Sequence, residues 1–233
     1  MSPSEKFELY FLDKNIRIAK IVDFNQGTDQ LYPLDFTNNN AELNDAILAD
    51  TTSFSSWIDQ KLQLHHCIYG IGGYNEHRTI YSRSAHFDTE EEPRRLHLGV
   101  DIWGDAGTPV YSFLPATVHS FKFNDHFGDY GATIILKYQL GDLAVHALYG
   151  HLSLASLAGL KEGQPIAAGQ KIGTFGIPKE NGNWPPHLHF QLIFDIKAHK
   201  GDYPGVCQYT QRENFLANSP DPAPILKHTF PLI

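Results

Sequence analysis

Pro185-Pro186-His187-Leu188-His189-Phe190 sets two histidines one residue apart in an apolar run that prolines open. Residues i and i+2 of a β-strand share a face, so this spacing aims both imidazoles into one place. Leu188 and Phe190 then fall on the opposite face, the one a core would use. Upstream, His97 and Asp101 stand four apart in Leu96-His97-Leu98-Gly99-Val100-Asp101. That spacing is even on a strand and about one turn on a helix, so both side chains reach a common point either way. Two imidazoles and a carboxylate are an open zinc set with a fourth position for water, and one histidine of the downstream pair stays free to handle protons. On these residues the chain reads as a metallohydrolase.

The chain has 13 histidines, so nearness of a few means little and the spacing carries the signal. His151, in Leu148-Tyr149-Gly150-His151-Leu152, is a fifth candidate because it ends an apolar strand just after a glycine, where backbone can approach a site closely. Its plain alternative is a surface histidine at the start of a helix.

Working outward, short strand candidates follow one another between glycines and prolines. They are Leu98 to Trp103, Pro109 to Phe113, Thr117 to Phe123, Thr133 to Tyr138, Leu143 to Tyr149, Gln170 to Phe175 and His187 to Phe194. Such spacing predicts a mainly β fold, a compact antiparallel sheet or sandwich, interrupted by a brief helix at Ser153 to Ala158. An N-terminal α+β extension is expected over residues 1–90, the main domain over 91–200 and an extended tail over 201–233. Within the extension, Phe7 to Leu12, Ile16 to Val22 and Tyr32 to Phe36 read as strands or extended segments. The stripe Phe54, Trp57, Ile58 and Leu62 behind hydroxyl residues predicts a helix from Thr51 to His65. Thr79 to Ser82 reads as a further strand and Asp88 to Arg95 as an exposed loop. Arg78 and Tyr81 are read as surface residues, or as contacts should their segment border the cleft.

At 233 residues with 42% hydrophobic, 19% charged and 12% aromatic residues, the composition is that of a globular protein rich in strand. The formal charge of −8 argues against generic binding to nucleic acid, an anionic membrane or an anionic wall polymer, since such partners are held by clustered Lys and Arg. The first residues carry no basic and apolar leader, and no window has the length of a membrane span, so a cytoplasmic location is expected. Cys67 and Cys207 lie far apart and are read as structural thiols. The weak echo of Ala106-Gly107-Thr108-Pro109-Val110 in Glu162-Gly163-Gln164-Pro165-Ile166 resembles lipoyl-type carrier hairpins, but Lys171 lacks the tight turn a carrier lysine needs.

Taken in order, His97 to Asp101, Ala106 to Val110, Tyr149 to Leu152, Gly163 to Gly173 and Pro186 to Phe190 resemble the lysostaphin/LytM-type zinc metallopeptidases over about residues 95 to 195. The resemblance implies that His97, Asp101 and His189 bind zinc and that His151 and His187 are catalytic. It also implies an antiparallel sheet with a groove across it and endopeptidase action on peptide or peptidoglycan-fragment substrates, usually the peptide crosslinks of peptidoglycan and often at glycine bonds. Tyr130 and Trp184 are candidate walls of that groove. Gln191 stands where wall-lytic members often carry a glutamate, and no HExxH glutamate base is present. A non-catalytic binding module of the same fold and a cytoplasmic small-molecule amidase remain the alternatives.

Overall fold

The computed structural model describes residues 1–13, 15–88 and 91–230. In chain order the elements are α1 (Pro3–Leu12), β1 (Leu31–Leu34), α2 (Asp45–Ala49), α3 (Thr51–Leu64), β2 (Tyr69–Gly72), β3 (Leu96–His97), β4 (Val100–Trp103), β5 (Pro109–Tyr111) and β6 (Ala116–Asn124). They continue with β7 (Gly131–Leu140), β8 (Leu143–Leu152), β9 (Pro165–Ile166), β10 (Lys171–Thr174), β11 (His187–Ile193), β12 (Val206–Cys207), α4 (Arg212–Asn218) and α5 (Ala223–Leu226). An eight-stranded sheet in the order β1-β2-β4-β11-β8-β7-β6-β9 dominates the molecule, antiparallel except for the β1–β2 pair. The mainly β expectation therefore holds, and the N-terminal region extends the sheet by two strands.

Alternation decides the faces. Leu188, Phe190 and Leu192 of β11 join Val100 and Ile102 of β4, Ala147 and Tyr149 of β8 and Ile134 and Leu136 of β7 in one buried cluster. His187, His189 and Gln191 take the other face, and it is buried as well, each at 3% exposure or less. A second cluster built from Phe36, Phe54, Trp57, Tyr81, Phe87, Trp103 and Trp184 covers it.

Several local expectations are corrected. Phe7 to Leu12 lies in helix α1, because Ser2 and Glu5 form a capping box around Pro3. Phe7 and Phe11, four apart, turn that helix onto the core. Ile16 to Val22 forms no regular strand, although Ala19 N–H donates to Phe113 O (2.9 Å) and Tyr111 N–H donates to Ile21 O (2.8 Å). The helix from Thr51 is capped by Asp50, whose carboxylate accepts the Ser53 N–H at 2.7 Å, and not by a hydroxyl. Thr79 to Ser82 is no strand: a 3-10 turn runs over Ile80–Arg83. Part of the charged loop, residues 89 and 90, lies outside the described residues.

The tail is helical at α4 and α5 instead of extended. Pro222 opens α5, and Ile225, Leu226 and Phe230 are fully buried in the main core, which no surface strap would achieve. Both cysteines are free, Cys207 buried and Cys67 partly so. Among the described residues no helix is long and apolar enough to cross a membrane.

Candidate metal centre and active site

β4 and β11 pair antiparallel with His189 opposite Asp101, and β3 brings His97 beside them. The break between β3 and β4 falls at Leu98 and Gly99. A methyl group added to Gly99 would sit 2.8 Å from both the His189 ring and the Phe190 carbonyl oxygen, so only glycine lets His189 in here.

The three side chains converge on one point. His97 Nε2 lies 2.9 Å from His189 Nδ1 and 3.2 Å from Asp101 Oδ1, and His189 Nδ1 lies 3.0 Å from Asp101 Oδ1. His97 Nδ1 can only donate to the Gly73 carbonyl at 2.9 Å, which leaves Nε2 as a bare lone pair. Gln191 donates through Nε2 to Pro204 O and Ser219 Oγ (both 3.1 Å), so its Oε1 accepts from His189 Nε2 at 2.9 Å and His189 Nδ1 is bare as well. Two imidazole lone pairs and a carboxylate oxygen thus face one another without a shared proton, an arrangement that a cation resolves. Tetrahedral bonds of about 2.0–2.1 Å put ligand atoms roughly 3.3 Å apart, close to the observed triangle, so the residues fit a divalent ion such as zinc.

Arg78 corrects the surface reading most directly: its side chain is wholly buried. Its Nη1 donates to Asp101 Oδ2, its Nε to Glu76 Oε2 (2.6 Å) and its Nη2 to Gly73 O (3.1 Å). Asp101 is thereby held by one oxygen while the other points into the triangle. His97 and the Arg78 guanidinium keep the Asp101 carboxyl well below the usual range against the opposing effect of burial. Burial, with Arg78 adding to it, pushes His97 down to about 3. Tyr81 is buried too, within 3.3 Å of Arg78 Nη1. A lone arginine in an unassigned segment offers little to find in the sequence beyond its polarity.

His151 and His187 complete the site. Opposite Thr133 the β7–β8 register slips, so Gly150 and His151 bulge out, and His151 adopts φ +61°, a left-handed conformation rare for a residue with a side chain. The same bulge needs Gly150, where an added methyl would lie 2.6 Å from the Tyr130 ring. His151 Nδ1 donates to Asn181 O (2.8 Å) and His187 Nδ1 to Pro185 O (2.7 Å), so both Nε2 atoms are free acceptors. Their rings lie 4.0 Å apart, and His187 stacks on Trp103 at 3.8 Å. Burial pushes His187 down to about 4 and lowers His151 well below its ordinary value. His151 is 6% exposed, so the surface alternative fails.

Asn181 is a further residue of the site that no motif marks: its side chain donates to Gly176 O (3.2 Å) and accepts the Trp184 N–H (3.0 Å), and so shapes the loop that orients His151. Tyr130 and Trp184 both line the pocket in front of these groups. The Tyr130 ring stands 5.2 Å from His189 and 5.5 Å from His151.

Residues 95–201 match the model of Peptidase family M23. The DD-carboxypeptidase/endopeptidase Mpg of Neisseria meningitidis is 32% identical over 125 residues, 52% of this chain and 26% of that protein. The L-Ala--D-Glu endopeptidase of Bacillus subtilis is 32% identical over 108 residues, 44% of this chain and 31% of that one. The chain therefore spans less than a third of either relative. Among solved structures, the catalytic domain of the antimicrobial peptidase lysostaphin from Staphylococcus simulans aligns with 24% identity and a TM-score of 0.44, over 74% of this chain and 97% of that one. Over residues 95–201, less than half of its length, the chain is thus similar to Peptidase family M23.

Proposed function

We propose that this protein is a zinc-dependent peptidase that hydrolyses amide bonds of glycine-containing peptides of the peptidoglycan type. The observation that carries the reading is the meeting of three proton-free ligand atoms beside two histidines whose Nε2 atoms are unengaged. His97, Asp101 and His189 would hold the ion. Zinc bound there supplies an electrophile for the scissile carbonyl and acidifies water.

The chain's own residues do the rest. His187 Nε2 and His151 Nε2, both kept neutral by burial, accept a proton from the attacking water and return one to the leaving amine. Their fixed Nδ1–H bonds to backbone carbonyls hold the tautomer that leaves Nε2 available. Protonated, either ring also steadies the negative charge that develops on the carbonyl oxygen. The apolar second cluster keeps bulk water from the site, which strengthens each of these interactions. The relatives, a DD-carboxypeptidase/endopeptidase and an L-Ala--D-Glu endopeptidase, support the bond class, an amide between amino acids.

The test is hydrolysis of glycine-containing peptides by the zinc-loaded chain, the metal-free chain and the His187→Ala variant. Cleavage confined to the zinc-loaded wild type supports the reading. Equal cleavage by all three defeats it.

A further inference from the structure

An open groove across the sheet is what the family resemblance implies, and the site is instead a pocket with room for only about 50 Å³. His97, Asp101, His151, His187 and His189 are each 6% exposed or less. Ile80, Tyr81 and Phe87 of the N-terminal region roof it, facing Trp184. Tyr81 packs on Phe87 (4.7 Å) and on Trp184 (6.1 Å).

The roof is fastened on two sides. Ser84 Oγ donates to Phe127 O at 2.8 Å, on the loop that leads into Asp129. Arg83 Nη2 donates to Thr51 Oγ1 (2.8 Å), and that hydroxyl donates to Asn183 O (2.9 Å) beside Trp184. The Arg83 guanidinium lies 4.8 Å over the Trp184 ring and 5.1 Å over Phe127. These contacts tie three separate segments together, so the roof is part of the fold. A peptide cut in its interior must enter the site and leave it again, whereas a roofed pocket of this size receives an end.

Two ionic side chains border the pocket apart from Asp101 and the histidines. Arg94 is turned onto the His86 carbonyl and packs 5.5 Å over Phe87. Asp129 is different. Its Oδ1 accepts the Tyr130 N–H at 2.7 Å, and among the described residues it forms no ion pair. The charges that act on it are those of His86, His126 and Asp202, and burial pushes its carboxyl up. Burial also holds His86 down, toward the neutral form. A half-buried carboxylate with a second one nearby and no cation against it is costly by itself, and a ligand ammonium offsets that cost.

We propose that the pocket takes a short, free-ended peptide or aminoacyl amide, its terminal ammonium on Asp129 and its carbonyl toward His97, Asp101 and His189. The role of the carbonyl rests on the peptidase reading above; the end specificity does not. Triglycine and N-acetyl-triglycine titrated calorimetrically into the zinc-loaded full chain carrying His187→Ala, with and without Asp129→Asn, test it.

Acetylation is expected to weaken binding about tenfold or more, the loss of one charge-assisted hydrogen bond. Asp129→Asn should weaken triglycine alike and leave N-acetyl-triglycine unchanged, and Asp129→Glu, which keeps the charge, should retain the preference. Equal binding of both peptides, binding of neither, or a preference that survives Asp129→Asn overturns the proposal; survival would mean that the amine sits on the metal. Turnover by the wild-type chain separates the two claims. Triglycine bound with this preference but never cleaved sinks the peptidase reading and leaves the pocket's specificity standing. Release of fragments from crosslinked wall sacculi as fast as triglycine is cut shows an open site and also overturns the proposal.

Discussion

Replacing Arg78 by methionine removes a wholly buried cation from between Asp101 and Glu76. The side chain of Asp101 is 4% exposed and that of Glu76 15%, so water can relieve Glu76 in part and Asp101 hardly at all. Breaking one side of a buried ion pair costs about 3–5 kcal/mol, because the charge left behind has no partner. We expect Arg78→Met to destabilise the metal-free chain by about 4 kcal/mol in urea unfolding at pH 7.5. The double variant Arg78→Met with Asp101→Asn should be less destabilised than the sum of the singles, by about 2–3 kcal/mol, since the orphaned charge is then gone. Zinc affinity of Arg78→Met, read by competition with a chromophoric chelator, should fall about 10–100-fold as Asp101 loses the partner that orients it. Additive single effects, or unchanged zinc affinity, would refute the claim that Arg78 presents Asp101 to the metal.

Three further outcomes follow from the same geometry. His187→Ala and His151→Asn, the latter chosen because asparagine tolerates φ +61°, should bind zinc like the wild type and lose about 10²–10⁴-fold in turnover. Loss of zinc in either would move that histidine into the ligand set. Gln191→Leu frees His189 Nε2 from its acceptor, and chelator competition should show zinc held about 10–100-fold more weakly; an unchanged affinity removes Gln191 from the account. Acid should destabilise the metal-free chain. Burial holds His187 and His146 at about 4 and His97 at about 3, below an ordinary value near 6.5. The unfolded chain therefore binds more protons between pH 6.5 and pH 4, and stability falls as pH falls through that window. One histidine held at about 4 removes about 2 kcal/mol by pH 5, at ~1.4 kcal/mol per pH unit. A urea midpoint that is flat from pH 7 to pH 5 would contradict this.

How far the sequence could be read depended on the range of the interactions. The alternation in His187 to Phe190 and the run of strands from β6 to β8 are local patterns, and they survive into the structure, the three strands each somewhat longer than expected. Phe7 to Leu12 misleads because a short apolar run suits a strand, while the deciding signal, Ser2 with Glu5 around Pro3, lies at the edge of the window. The burial of Arg78 is set by partners at Gly73, Glu76 and Asp101, and only the β2–β4 pairing brings the last of these within reach. The bulge that turns His151 inward is a register slip between two strands and has no signature in either one beyond Gly150. The tail reads as extended from its prolines, yet Pro222 starts a helix, and the apolar residues behind it complete the core.

The account stands on the three converging ligand atoms, so the most direct measurement is zinc content by elemental analysis after dialysis against trace metal, for the wild type and Asp101→Ala. About one zinc per wild-type chain, lost in the variant, is the predicted result. A wild-type chain that retains no zinc, or a variant that retains it in full, would contradict the assignment of His97, Asp101 and His189 as a metal site.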